Sequence, residues 1–100
     1  MNDECSSDDV RRRREEIDRL DAELVRILNK RAAVALELAQ LKKSLGLEIR
    51  DREREQQVLL RVVGSNPGPF DHRGIKRIFR HIICESRRME LRMKGSGGRP

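Results

Sequence analysis

Three cations stand where a long amphipathic helix would ordinarily carry apolar side chains. Ile17, Leu24, Leu38 and Leu45 form one column with a seven-residue repeat, and Arg31 fills its empty slot. Arg14 and Lys42 extend a second column at its two ends, with Asp21, Leu28 and Ala35 between them. Columns repeating about every 3.5 residues face a partner helix. A cation turned inward there needs a counter-charge, because an unpaired buried charge is strongly disfavoured. Few carboxylates fall on the matching faces, so the chemistry this pattern suggests is capture of an anion.

Polar residues continue apolar stripes elsewhere as well. Arg54 lies four positions before Val58, and Glu55 four before Leu59. The line Ile75, Phe79, Ile82 runs on through Ser86 to Glu90. Polar groups converging on an apolar surface are the usual make-up of a small-molecule site. Arg31 and Lys42 are eleven residues apart, roughly 16 Å along a helix axis, so long side chains can flank one small ligand. Arg14 is twenty-eight residues from Lys42, roughly 42 Å on a straight helix. It cannot reach the same ligand within one chain. If Arg14 serves that site, a second copy supplies it, and the site lies at a dimer interface.

Three helices and no strands are expected to position these groups. The first spans about Val10 to Leu45, with Gly46 as its stop. At roughly 50 Å it is too long for a chain this small to cover alone. Asp51 is a good N-cap for a second helix reaching about Val63, whose apolar face is Val58, Leu59 and Val62. The breakers of Gly64-Ser-Asn-Pro-Gly-Pro69 make a loop. Asp71 then caps a third helix with the stripe Ile75, Ile78, Phe79, Ile82, Ile83 and Met89. Residues 1–9 read as a disordered polar tail, 10–94 as the single domain, and 95–100 as a flexible glycine-rich end.

Composition limits the alternatives. In 100 residues, 36% are hydrophobic and 40% charged, with two Phe and no Trp or Tyr. A chain of this length buries only roughly 60–70% of its unfolded surface, so assembly with another chain is a natural remedy. The net charge of +6 and a pI near 10.1 raise nucleic acid as a partner. Much of that basicity is interleaved with acid, as in Asp51-Arg52-Glu53-Arg54-Glu55, which marks a solvated face. The missing Tyr and Trp remove the best stacking groups for single strands. Cys5 and Cys84 make no disulfide framework, and His81 with Cys84 at i, i+3 is too small a set for a metal. No apolar run nears the roughly 20 residues of a membrane span, and the N-terminus lacks a signal peptide's apolar segment. A cytoplasmic protein without membrane or nucleic-acid contacts is expected.

Taken in order, Arg14-x-x-Ile17-x-x-Leu20-Asp21, Arg31, Lys42, Asp51-x-x-Arg54-Glu55 and Ile82-Ile83-x-x-Ser86 resemble the all-helical class of chorismate mutases. The likeness covers about residues 10–92. No single piece is specific; the ordered set with its spacings is. It implies an all-α, intertwined homodimer that converts chorismate to prephenate, a step of the shikimate pathway toward phenylalanine and tyrosine. It also implies two active sites, each built from both chains.

By the same resemblance, Arg31 clamps one substrate carboxylate and the partner's Arg14 the other, using the bidentate geometry that suits arginine. Lys42 reaches the ether oxygen and a carboxylate. Glu55 and the backbone N–H of Asp51 hold the ring hydroxyl. Ser86 bonds near a carboxylate, Arg54 supports the cationic pocket, and Glu90 faces the ether oxygen opposite Lys42. The catalytic group of this set is Lys42, Glu90 and Arg31. The rearrangement is unimolecular and pericyclic, so neither metal nor cofactor is implied. Glu90 departs from the pattern, since many bacterial relatives carry Gln there while fungal ones carry Glu. A carboxylate opposite a developing oxyanion repels it, whereas a carboxylic acid donates a hydrogen bond.

There are three rival readings. An isochorismate pyruvate lyase of the same architecture would use a similar cationic pocket, although Glu55 and Glu90 favour the mutase. A basic helical dimer binding nucleic acid would turn its cations outward and bind with steep salt dependence. A purely structural coiled coil leaves the polar turns of three helices unexplained.

Overall fold

The longest helix ends where its backbone turns left-handed at Gly46, with φ +71°. Leu47 N–H donates to Lys42 C=O at 2.8 Å and Gly46 N–H to Lys43 C=O at 3.2 Å. This pair is a Schellman stop, which satisfies carbonyls left open at a helix end. A β-carbon in this region of φ is disfavoured by roughly 1–2 kcal/mol. Gly46→Ala is therefore expected to lower unfolding stability by about that amount, measured as a shift in the urea midpoint at unchanged slope.

The computed structural model describes residues 3–97 and the side-chain surroundings of residues 7–92. Three α-helices follow in order: α1, Asp3–Ser44; α2, Arg52–Gly64; and α3, His72–Gly97. No strand occurs among the described residues, and the chain is all-α as expected. Two boundaries differ from the sequence reading. Helix α1 begins at Asp3 rather than Val10, and α3 runs to Gly97 instead of giving way at Gly95. Adding one residue to an existing helix gains one hydrogen bond per residue fixed, so long helices extend beyond their apolar pattern. Of the expected tails, residues 1–2 and 98–100 lie outside the described residues.

The chain divides into two compact units, Met1–Val34 and Ala35–Pro100. The first is α1 up to Val34. Its large apolar residues Ile17, Leu20, Leu24, Val25 and Val34 are each more than half exposed, while Leu28 is half-buried. Arg11 pairs with Asp8 and Arg13 with Glu16, both at 3.1 Å and at i, i+3 on the solvated surface.

The second unit holds the last turns of α1, a link, α2 and α3. Helices α2 and α3 pack on each other. Leu59 (5% exposed) and Ala39 (2%) are the buried centre, flanked by half-buried Val58, Val62, Ile75, Phe79, Ile82, Ile83 and Met89. The expected stripes thus face inward, with Ile78 the exception at 41% exposure. Asp51 caps α2 by accepting from Arg54 N–H at 3.0 Å, and Asp71 caps α3 by accepting from Gly74 N–H at 2.7 Å. Between the helices, Asn66 braces the loop, its amide donating to Phe70 C=O at 2.8 Å while its Oδ1 accepts from Gly68 N–H at 3.1 Å.

Candidate functional site

The link after Gly46 brings Lys42 back over its own helix end. Lys42 is half-buried, and its Nζ donates to the backbone carbonyl of Ile49 at 3.1 Å. An ammonium has three donors, so this bond fixes the side chain and leaves donors for a ligand. Lys42 lines a cavity of about 590 Å³ with Leu47, Glu48, Arg50, Asp51 and Arg52. A neighbouring cavity of about 750 Å³ shares Leu47, Glu48 and Arg50 with it and adds Lys43, Arg87, Glu90 and Leu91, among others.

Glu55 faces this region from the first turn of α2. Arg50 Nε lies 3.5 Å from Glu55 Oε2, and Arg50 Nη2 donates to Oε1 at 3.5 Å. Arg87 Nε, from α3, also lies 3.5 Å from Oε2. Three elements therefore meet at one carboxylate. Ser86 and Glu90, one turn apart on α3, are both half-buried.

The second unit thus gathers Lys42 and Asp51 around one cavity and sets Glu90 on the wall of the next, with Glu55 tied to Arg50 and Arg87 beside them. Arg54, which shares a stripe with Val58, is exposed in the single chain. It occupies the first turn of α2, where its amide serves the Asp51 cap and Glu55 takes the inward direction. Arg14 and Arg31 lie in the first unit. Arg31 is half-buried, whereas Arg14 is exposed in a shallow groove with Ser7, Val10 and Arg11.

Arg50 and Arg87 were not singled out by the sequence reading. Arg50 read as part of a link, and nothing in its spacing pairs it with Glu55. Arg87 did carry a signal, standing four residues after Ile83 and so continuing an inward stripe, by the same logic that selected Glu55. No group of three or more potential metal ligands clusters among the described residues. No helix there is long and apolar enough to cross a membrane.

Comparison with known proteins supplies the family. The family model for chorismate mutase type II matches residues 13–91. Two bifunctional chorismate mutase/prephenate dehydratases are similar in sequence. That of Aquifex aeolicus is 31% identical over 91 residues, covering 87% of this chain and 25% of its own. That of Neisseria gonorrhoeae is 40% identical over 72 residues, covering 72% of this chain and 19% of its own. The chain therefore spans about a quarter or less of the length of these curated relatives. Among solved structures, form II of the Thermus thermophilus chorismate mutase superposes with a TM-score of 0.81 at 34% identity, covering 83% of this chain and 94% of that one. Form I of the same enzyme gives 0.76 at 34% identity, covering 77% and 96%. By the span of the family match and by these likenesses, the chain belongs to the type II chorismate mutase family.

Proposed function

We propose that this chain rearranges chorismate to prephenate as a homodimer, an isomerase of aromatic amino acid biosynthesis in the cytoplasm. The observation that carries the reading is Lys42: a half-buried ammonium locked onto the Ile49 carbonyl at the rim of a cavity that Asp51 also lines. Chorismate is a dianion whose ether oxygen gains negative charge as the bond to the ring breaks. A fixed N–H donor at that oxygen stabilises the transition state more than the ground state. The rest of the catalysis is conformational. Holding the enolpyruvyl arm over the ring converts a rare conformer into the bound one. A millionfold acceleration corresponds to about 8 kcal/mol of such differential stabilisation.

Roles are assigned by the family motif. Arg31 binds one carboxylate and the partner's Arg14 the other, Glu55 and the amide of Asp51 take the ring hydroxyl, and Ser86 bonds near a carboxylate. Arg54, exposed in a single chain, supports the cationic pocket. The exposed column Ile17, Leu24, Leu38 and Leu45 supports dimerisation, since covering the exposed half of each such side chain gains on the order of 1 kcal/mol. A nucleic-acid role is disfavoured by the pairing of Arg11, Arg13 and Arg26 with acids along α1, which leaves those cations partly neutralised.

The test is loss of chorismate absorbance on adding purified protein, with acidification of the product to confirm prephenate. Release of salicylate from isochorismate without prephenate formation would assign the chain to the lyase instead. Glu90 supplies a finer check. If its protonated form donates to the ether oxygen, turnover rises as the pH falls through its titration. Glu90→Gln, a permanent donor, then flattens the pH–rate profile. An unaltered profile in that variant rejects the role.

A further inference from the structure

Glu55 is the carboxylate to which the mutase reading gives the substrate's ring hydroxyl, and it is held from two directions. Arg50 approaches from the link and spans both carboxylate oxygens, its Nε 3.5 Å from Oε2 and its Nη2 3.5 Å from Oε1. Arg87 approaches from α3, its Nε 3.5 Å from Oε2. Glu55 is 22% exposed and Arg87 32%. The Arg87 Nε itself is shielded from solvent and makes no hydrogen bond. Its ion pair with Glu55 supplies a counter-charge at that shielded end of the guanidinium.

We propose that Arg87 is a positioning residue for substrate recognition: it fixes the Glu55 carboxylate so that Oε1 is presented to the ring hydroxyl. A carboxylate offers about four acceptor positions. Both Nε atoms lie nearest Oε2 and Arg50 Nη2 reaches Oε1, each at 3.5 Å, long approaches that leave acceptor positions for a further donor, which we assign to Oε1. The three side-chain torsions of glutamate would otherwise have to be ordered when substrate arrives, and two cations on separate elements order them beforehand. Arg50 alone sets the plane of the carboxylate relative to the link. Arg87 adds the register with α3, whose adjoining turn carries Ser86 and Glu90, and it lines the same cavity as Arg50 and Glu90. Arg87 acts through Glu55 and does not touch the reacting atoms. The inference rests on the mutase reading.

A double-mutant cycle on the full chain tests it, with kcat and KM for chorismate measured in the wild type, Arg87→Met, Glu55→Gln and the double variant. Arg87→Met keeps an unbranched apolar stem and removes the charge. The expected result is a KM raised about tenfold in Arg87→Met with kcat changed little, and an effect of Arg87→Met below about twofold once Glu55 is already Gln. Arg87→Lys restores part of the KM. Circular dichroism and urea unfolding accompany each variant; should Arg87→Met not fold, Arg87→Lys carries the same cycle with a smaller expected change. An unchanged KM overturns the proposal, even if stability falls. Additive effects overturn it as well, since they would mean that Arg87 meets the substrate directly. A wild-type chain that leaves chorismate intact removes the mutase reading and this inference together, whereas an active wild type with an additive cycle removes the inference alone.

Discussion

Lys42→Ala is expected to lower kcat by about two to three orders of magnitude, the usual consequence of deleting one donor aimed at a developing oxyanion. The fold should survive. Lys42 gives up one hydrogen bond to the Ile49 carbonyl, and a single such bond contributes only about 0.5–1.5 kcal/mol. Stopped assays of chorismate loss, paired with thermal unfolding of the same preparation, separate the two effects. Near-normal turnover in a folded variant would mean that the ammonium is a structural strut for the link and that charge stabilisation lies elsewhere. A large rise in KM with kcat intact would instead place Lys42 on a carboxylate, binding ground state and transition state alike.

Mixing two inactive variants should recover activity. If each site combines Lys42 of one subunit with Arg14 of the other, homodimers of Arg14→Ala and homodimers of Lys42→Ala are both crippled. A mixed dimer carries one site with both residues intact and one with neither. Random re-association of equal amounts gives half mixed dimers, so about a quarter of wild-type turnover returns by the symmetry of a two-fold assembly. Subunit exchange through mild urea, followed by the chorismate assay, measures it. Failure to recover any activity, with mixed dimers demonstrated by mass spectrometry, would dismiss the shared-site arrangement. The exposed apolar column on α1 makes the dimer a physical expectation, but only complementation addresses which subunit donates which cation.

The helices were legible because their punctuation is strong. Gly46 with its left-handed backbone, the Asp51 and Asp71 caps and the crowded breakers before Asp71 each have one local mechanism, and the structure uses all of them. The start of α1 was less legible. Asp3–Asp9 carries no apolar period, and helix there is sustained by propagation from the residues that follow. For the site, the inward phase of Glu55, Ser86 and Glu90 followed from four-residue spacing along stripes. Arg54, on the same spacing, is exposed in the single chain, where a first-turn residue beside a cap has solvent on its outer side. Arg50 and Arg87 went unseen for another reason: their value comes from meeting Glu55 across three elements, and such a meeting is written in tertiary packing rather than in any local period.

The acceptor that steadies the Lys42 ammonium is a main-chain oxygen, and this has a bearing on how the protein can change over time. Whatever side chain stands at position 49, the peptide oxygen persists, so substitutions there are tolerated as far as packing allows. Changes of length are another matter. A single residue inserted or deleted between the left-handed glycine and the cap of α2 would rotate that oxygen away and leave the ammonium aimed at nothing. The spacing of this short bend, more than its composition, is therefore what descent must keep.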